Sequence, residues 1–319
     1  MKVAIAGLGS AAVRGHLPAI ARLAARGSLA LVGAADPDAA RREHLAASAP
    51  GVALFETAEA MLDAVECDLL VIAAQPGAHA QLVQLGLERG LHVVCEKPLV
   101  VTRAQYELVA RAHVRQPAQG VVSVHQYRYS PTWQWFARSA RLARRLRIPF
   151  CLTVDVERIA TDALAASAWR ADAGASGGML ADHGVHYLAL AWTVDEQLDV
   201  LAAARAWSDA GERSGASIRV GSGTVAIQVA TGAPVRSTCV TLHAANAALA
   251  WRDETLELTC RGRRLFARRV EALADRTHVD ALYARLYDDL VRNLERTAWR
   301  AHRTAEALAV ARALVALLE

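Results

Sequence analysis

Two spacings of apolar residues alternate along the first 124 positions. Short, nearly continuous apolar runs occur at KVAIA (2–6), SLALVGAA (28–35), VALF (52–55), DLLVIAA (68–74), LHVVC (91–95) and GVVSV (120–124). Between them apolar residues recur every three or four positions, first through Leu17, Ile20 and Leu23. The runs predict buried strands and the intervening spacing predicts helices. Strand and helix in regular alternation imply a parallel sheet covered on both faces, which binds ligands at the carboxyl ends of its strands. Beyond residue 125 the pattern weakens. Strand-like runs are expected at 198–207, 217–231 and 235–243, and helices over 278–319.

The predicted strand ends carry the chemistry. Gly7-Leu8-Gly9-Ser10-Ala11-Ala12 fits G-x-G-x-x-G/A between a strand and a helix, the arrangement that brings backbone N–H groups and a helix N-terminus to a pyrophosphate. Asp36 follows 24 residues after Ala12, at the end of the second strand, where a carboxylate accepts from a ribose 2′-hydroxyl and repels a 2′-phosphate. NAD is therefore the expected cofactor. Arg41 and Arg42, one helical turn further on, keep NADP as the second choice. Gln75-Pro76-Gly77 breaks the fourth strand, and His79 near the start of the next helix is expected to cap it or line the cofactor's edge.

The fifth strand runs out into Glu96-Lys97-Pro98. Among 36 Lys and Arg residues only Lys2 and Lys97 are lysines, so Lys97 is the one internal position where an ammonium stands in place of a guanidinium. An ammonium is a point charge on a flexible stem, whereas a guanidinium prefers planar, bidentate partners. Pro98 disfavours helical geometry at Lys97. Position alone favours a solvated lysine after a strand, and its neighbours must decide.

The rest of the composition narrows the function. At 319 residues the chain accommodates two domains. No apolar run approaches the roughly 18–20 residues that cross a bilayer, and MKVAIAGLGS has no long apolar signal core. Five cysteines at 67, 95, 151, 239 and 260 form no C-x-x-C pair, so reduced thiols in a cytoplasmic protein without a metal site are expected. A net charge of +4, from 36 basic against 32 acidic residues, calls for no nucleic-acid partner. The densest basic stretch, ARLARRLRIP (140–149), reads as a solvated helix face around Leu142 and Leu146.

Further on, HQYRYSP (125–131) places Tyr127 and Arg128 after the sixth strand, and WRADAGASGGMLADHGVH (169–186) follows. In the latter, Gly177-Gly178 permits close backbone approach, and Asp182 and His186 stand at i and i+4, one face of a helix. Aspartate and histidine together suit an orienter and a proton carrier; a helix cap and a core histidine have the same spacing.

Taken in order, the glycine loop, Asp36, EKP at 96–98, the arginine of QYRYSP and GGMLADHGVH resemble the glucose-fructose oxidoreductase/inositol dehydrogenase/MocA (Gfo/Idh/MocA) family, over residues 1 to about 192. Ala12 where the family often has glycine, Gln75 near a usual Thr or Ser, and His183 before Gly184 depart from its pattern. The resemblance implies an α/β protein. Its dinucleotide-binding Rossmann domain, a doubly wound parallel sheet, would span 1–124. An α+β substrate and oligomerisation domain with an open, mostly antiparallel sheet would span 125–319, with a C-terminal helix able to return to the first domain. It also implies catalytic roles for Lys97, Asp182 and His186. Gly7, Gly9, Ser10, Ala11, Ala12, Asp36, Gln75, Pro76, His79, Glu96, Lys97 and Pro98 become the expected cofactor contacts. Tyr127, Arg128, Trp169, Arg170, His183, Lys97 and His186 become the expected substrate contacts.

The expected activity is hydride transfer between nicotinamide and a sugar, polyol or cyclitol hydroxyl/ketone pair, in a homodimer or homotetramer. The alternatives are an imine or enone reductase with the same proton donor, and a nicotinamide-binding sensor that would not need Lys97, Asp182 and His186 together.

Overall fold

Each apolar run in the first 124 residues becomes a strand. In the computed structural model, which describes residues 1–159, 176–208, 211–272 and 276–319, these are β1 (Lys2–Ala6), β2 (Ala30–Ala35), β3 (Ala53–Phe55), β4 (Leu69–Ile72), β5 (His92–Cys95) and β6 (Val121–Ser123). All pair in parallel in the order β3-β2-β1-β4-β5-β6. The central strands β1 and β4 are almost wholly apolar because both faces are covered. Helices α1 (Leu17–Ala24), α2 (Ala39–Ser48), α3 (Ala58–Ala64), α4 (Pro76–Glu88) and α5 (Arg103–Arg115) fill the gaps. Their starts are set locally. Asp38 and Thr57 cap α2 and α3, and Thr102 with Gln105 forms a capping box on α5. The strand order reverses between β1 and β4, the switch point where such sheets bind ligands.

Residue contacts divide the chain into two units, Met1–Val124 with Tyr283–Leu308, and His125–Leu282 with Ala309–Glu319. The second part of the chain contains α6 (Pro131–Arg145), β7 (Phe150–Arg158), α7 (Val185–Val194), β8 (Asp199–Ser208), β9 (Gly211–Val220), β10 (Gly223–Thr231), β11 (Ser237–Ala244), β12 (Ala247–Arg252), β13 (Thr255–Cys260), β14 (Arg263–Arg269), α8 (Arg276–Asn293) and α9 (Thr297–Leu318). Its eight strands run β14-β13-β12-β11-β7-β10-β9-β8, parallel at β7–β10 and antiparallel at the other pairings.

Along β7, Phe150, Leu152, Val154 and Val156 are buried while Asp155 is exposed. In register beside them lie Val225, Ile227 and Val229 of β10 and Leu242 and Val240 of β11. This apolar face meets α6 and α7. Nine of the ten residues of α7 are buried, as expected of a helix that is apolar all round. The opposite face alternates small and polar residues, among them Thr153, Asp155, Thr224, Gln228, Cys239 and His243.

Two sequence expectations change here. The run at 217–231 is not one strand: it is the end of β9 and all of β10, separated at Gly221, whose φ is +57. A Cβ at Gly221 would lie 2.8 Å from Arg144 Cδ and 3.0 Å from Asp195 Oδ2, because the Arg144–Asp195 ion pair, at 2.7 Å, closes over the turn. Strands β12 to β14 had no expected counterpart. β14, RRLFARR, is an edge strand exposed except at Phe266, so it has no apolar face to reveal a period of two.

In the first unit, residues from α9 close the β6 edge of the sheet. Val121 N–H, which would otherwise lack a partner strand, donates to Thr304 Oγ1 at 2.9 Å, which protects the edge.

Candidate active site

The glycine loop is shaped by one close approach. Gly7 has φ +93, and a Cβ there would stand 2.6 Å from the backbone of Ala73 and Ala74 beyond β4, so only glycine fits. Gly9 is the opposite case: the space its Cβ would occupy is open to 4 Å. Backbone is therefore accessible where the dinucleotide pattern needs it, and the residues fit a pyrophosphate. Ser10 is exposed, Ala11 half-buried, and buried Ala12 opens a π turn, Ala12–His16, that leads into α1.

Asp36 is buried, and it organises the loop. Its carboxylate accepts from Leu8 N–H at 2.7 Å and from Asp38 N–H at 2.9 Å. A carboxylate has about four acceptor positions, so capacity for a ribose hydroxyl remains. Arg41 stands between two acids, 3.4 Å from Asp36 and 3.3 Å from Asp38. Arg42 donates to the carbonyls of Asp36 and Pro37. Both arginines offered to a 2′-phosphate are thus already engaged.

The end of β5 is held by a buried cluster. His16, from the π turn, places Nε2 3.1 Å from Glu96 Oε1 and Nδ1 2.7 Å from Tyr287 Oη. Tyr283 donates its hydroxyl to the same Glu96 oxygen at 2.5 Å, and Lys97 N–H donates to Oε2 at 3.1 Å. Gly15 makes room, since a Cβ there would lie 2.7 Å from the Tyr283 ring. Burial pushes the Glu96 carboxyl up, but the hydrogen bonds from His16 and Tyr283 and the nearby charges, Lys97 included, outweigh it and hold the group below its ordinary value.

Glu96, expected among the cofactor contacts, therefore directs its carboxylate to His16, Tyr283 and the Lys97 backbone. Lys97 itself is half-buried, ahead of a cis peptide to buried Pro98. Gln75 is the N-cap and Pro76 the first residue of α4. His79 is buried, its ring nitrogens 2.8 Å from Pro98 O and 3.0 Å from Ala74 O, a bridge between the start of α4 and the loop after Lys97. Burial lowers its pKa.

In the second unit the GG motif answers to an ion pair. Gly177 and Gly178 both have positive φ, and a Cβ on Gly178 would lie 2.5 Å from Arg205 Nη2 and 2.7 Å from Glu212 Oε1. Arg205 donates to Gly177 O at 2.6 Å, and Glu212 accepts from Met179 N–H at 3.0 Å and from Ser214 Oγ at 2.5 Å. These bonds fix the entry to a second π turn, Leu180–Gly184, which carries Asp182 and His183; π turns interrupt helices frequently at functional sites.

Asp182 Oδ2 lies 3.6 Å from His183 Nε2. His186, one turn into the buried helix, packs its ring on Tyr127 at 4.4 Å between centroids. Burial raises the Tyr127 phenol, while the charge of Arg158 lowers it and that of Asp182 raises it. Arg128 lies over the Tyr129 ring at 6.0 Å. Trp169 and Arg170 lie outside the described residues.

His16, Tyr283, Arg158, Arg205 and Glu212 were not anticipated. Each acts on a partner far away in sequence, 80 and 187 residues for the two on Glu96, so local spacing carries no trace of them. Among the described residues, no group of three or more His, Cys, Asp and Glu side chains is arranged to hold a metal ion, and no helix is long and apolar enough to cross a membrane.

Residues 1–125 match the family described as oxidoreductase family, NAD-binding Rossmann fold (GFO_IDH_MocA). The rhizopine catabolism protein MocA of Rhizobium meliloti is 43% identical over 82 residues, 25% of each chain. Inositol 2-dehydrogenase 4 of Saccharopolyspora erythraea is 30% identical over 124 residues, 39% of this chain and 36% of that one. The matched segments thus span about a quarter to a third of these relatives. The fold extends over the whole chain. The crystal structure of the WlbA dehydrogenase from Bordetella pertussis, in complex with NADH and UDP-GlcNAcA, superposes with a TM-score of 0.79 at 20% identity, covering 100% of this chain and 95% of that one.

The Glu96 cluster generates a test. Tyr283→Phe removes one donor from a buried carboxylate and should destabilise the protein by about 1–3 kcal/mol at pH 7. A carboxyl held below its unfolded value of about 4.3 contributes stability above that pH and loses it as pH falls through the folded pKa. The deficit should therefore narrow toward pH 3.5 in urea titrations of both proteins. An equal deficit at pH 7 and pH 3.5 would show that Glu96 is not the group served.

Proposed function

We propose, from a chain whose residues 1–125 belong to the NAD-binding Rossmann domain of the Gfo/Idh/MocA oxidoreductase family, that the protein is a dehydrogenase acting on a sugar, polyol or cyclitol hydroxyl/ketone pair. One observation carries the reading. The only internal lysine of the chain follows a buried, hydrogen-bonded glutamate at the carboxyl end of β5, at the sheet edge where the glycine loop also ends. A solvated lysine at a free turn needs no such support. The names of the relatives, inositol dehydrogenase and a dehydrogenase crystallised with UDP-GlcNAcA, favour a polyhydroxylated substrate.

The nicotinamide, when bound, supplies the hydride acceptor or donor. In the oxidative direction His186 takes the hydroxyl proton, since an imidazole titrates near neutral pH, and the Tyr127 ring keeps it in one orientation. The Lys97 ammonium stabilises the developing alkoxide. By analogy with loss of one oxyanion donor, such a group contributes about 2.7–4 kcal/mol. Asp182 orients the neighbouring imidazole groups through its charge. Tyr127, Arg128 and His183, with Trp169 and Arg170, bind the substrate. Gly7, Gly9 and the Ser10–Ala12 turn bind the pyrophosphate and Asp36 the ribose, with Gln75, Pro76 and His79 supporting the loops around them. The sheet face that carries Thr153, Thr224 and Gln228 serves association into a dimer or tetramer.

Three measurements test this reading. NADH should bind more tightly than NADPH, because Asp36 repels a 2′-phosphate and Arg41 is held by two acids; a fluorescence titration that favours NADPH overturns the assignment. With a turned-over sugar or cyclitol in hand, Lys97→Arg should lower kcat by on the order of a hundredfold while NADH affinity holds, and His186→Ala should lower kcat and flatten its pH dependence. Near-normal turnover in folded Lys97→Arg returns Lys97 to a solvated role. Light scattering at micromolar concentration should give a dimer or tetramer, and a monomer counts against the association surface.

A further inference from the structure

Arg158 closes β7 in step with the apolar residues of its helix-covered face, and only 8% of its surface is exposed. A guanidinium offers five N–H donors and no acceptor. Among the described residues only Nη1 has partners: it donates to the carbonyls of Glu157 at 2.9 Å and Ser237 at 3.1 Å, and meets Thr238 Oγ1 at 3.4 Å. Nε and Nη2 meet no acceptor among the described residues.

The guanidinium also has no carboxylate among the described residues, since all three contacts are to neutral oxygens. The acids beside it in sequence do not serve. Asp155 and Glu157 alternate onto the opposite face of β7, and Glu157 Oε2 accepts from Ser237 Oγ there. The other buried arginine among the described residues is paired, Arg303 with Glu306. A cation this deeply placed is ordinarily met by an anion.

A chain of contacts joins Arg158 to His186. Thr238, which meets Nη1, also lies within interaction range of the Tyr187 hydroxyl. The Tyr187 ring lies 5.3 Å from Trp133, Trp133 lies 6.4 Å from Tyr127, and Tyr127 lies 4.4 Å from His186. Tyr127 is also within electrostatic reach of both Arg158 and Asp182.

We propose that Arg158 recognises an anionic group of the substrate through Nε and Nη2, so that the substrate is a polyhydroxylated molecule bearing a carboxylate or a phosphate. The proposal rests on the dehydrogenase reading in one respect, that the surroundings of His186 bind the substrate. A bidentate guanidinium suits either oxyanion, and a neutral polyol leaves the donors to water.

The test is binding, so it does not depend on turnover. The NADH-loaded protein is titrated calorimetrically, at constant ionic strength, with D-glucuronate, D-glucose 6-phosphate, D-glucose and myo-inositol. One of the two anions should bind at least about tenfold more tightly than the neutral sugars, the advantage of a charge-assisted pair, and which anion wins distinguishes carboxylate from phosphate. Arg158→Gln should abolish that advantage while NADH affinity and binding of the neutral sugars stay within about threefold, and Arg158→Lys should keep part of it. Arg158→Lys also covers the case in which the glutamine variant does not fold.

A structural Arg158 predicts equal losses for anionic and neutral probes. That result, an anion preference unchanged in both variants, or no anion binding by NADH-loaded protein, overturns the proposal. Anion preference that depends on Arg158 without any reduction of NAD would instead overturn the dehydrogenase reading and leave the anion site standing.

Discussion

The buried Glu96 carboxylate is the interaction on which the first unit turns. A carboxylate at 6% exposure is unfavourable unless its oxygens are met by donors, and three elements from separate parts of the sequence meet them. His16 comes from the turn after the glycine loop, Tyr283 from α8, and the Lys97 N–H from the end of β5. One charge therefore ties the pyrophosphate loop to the residue proposed to stabilise the alkoxide. Because the partners converge on the carboxylate from different elements, removing any one of them disturbs the placement of the others. Lys97 inherits its position from this arrangement.

The second unit solves a similar problem with Glu212. Its carboxylate sits against the backbone of Met179 and the side chains of Arg205 and Ser214, directly above the paired glycines. An acid at the start of a helix is favoured by the unpaired N–H groups there. In both units a buried acid holds a π turn in place; in the second unit Asp182 lies on the turn and His186 just beyond it, whereas in the first Lys97 follows the acid itself. A π turn shifts the direction of the side chains that follow, so anchoring its entry decides where Asp182 and His186 point.

Much of the first unit was legible because its constraints are local. A glycine that must clear a neighbouring strand, an acid one helix later, and a proline after a lysine are all readable in a short window, and the strands at 2–6, 69–72 and 92–95 announce themselves by continuous apolarity. The GG pair was readable as a place of close approach, but not that an ion pair formed by Arg205 and Glu212 is what approaches. Arg158 was hidden by its position at the end of a strand whose polar residues alternate with apolar ones, where an arginine ordinarily faces solvent. The same limit explains β14, whose arginines face outward on both sides, and the division of 217–231, where a turn needs only Gly221 and its ion-paired neighbours.

Tyr283 stands 187 residues after the carboxylate it serves. At a synthesis rate of about 5–20 residues per second, roughly ten to forty seconds separate the two on the ribosome. Throughout that interval the Rossmann strands are complete, yet Glu96 lacks its phenol donor and the β6 edge lacks Thr304. A nascent chain at that stage leaves the carboxylate without one of its donors and the edge without its cover. The long separation also raises the loop-closure entropy that folding must overcome. Final consolidation of the nucleotide-binding unit therefore waits on translation of α8 and α9, which bring Tyr283 and Thr304.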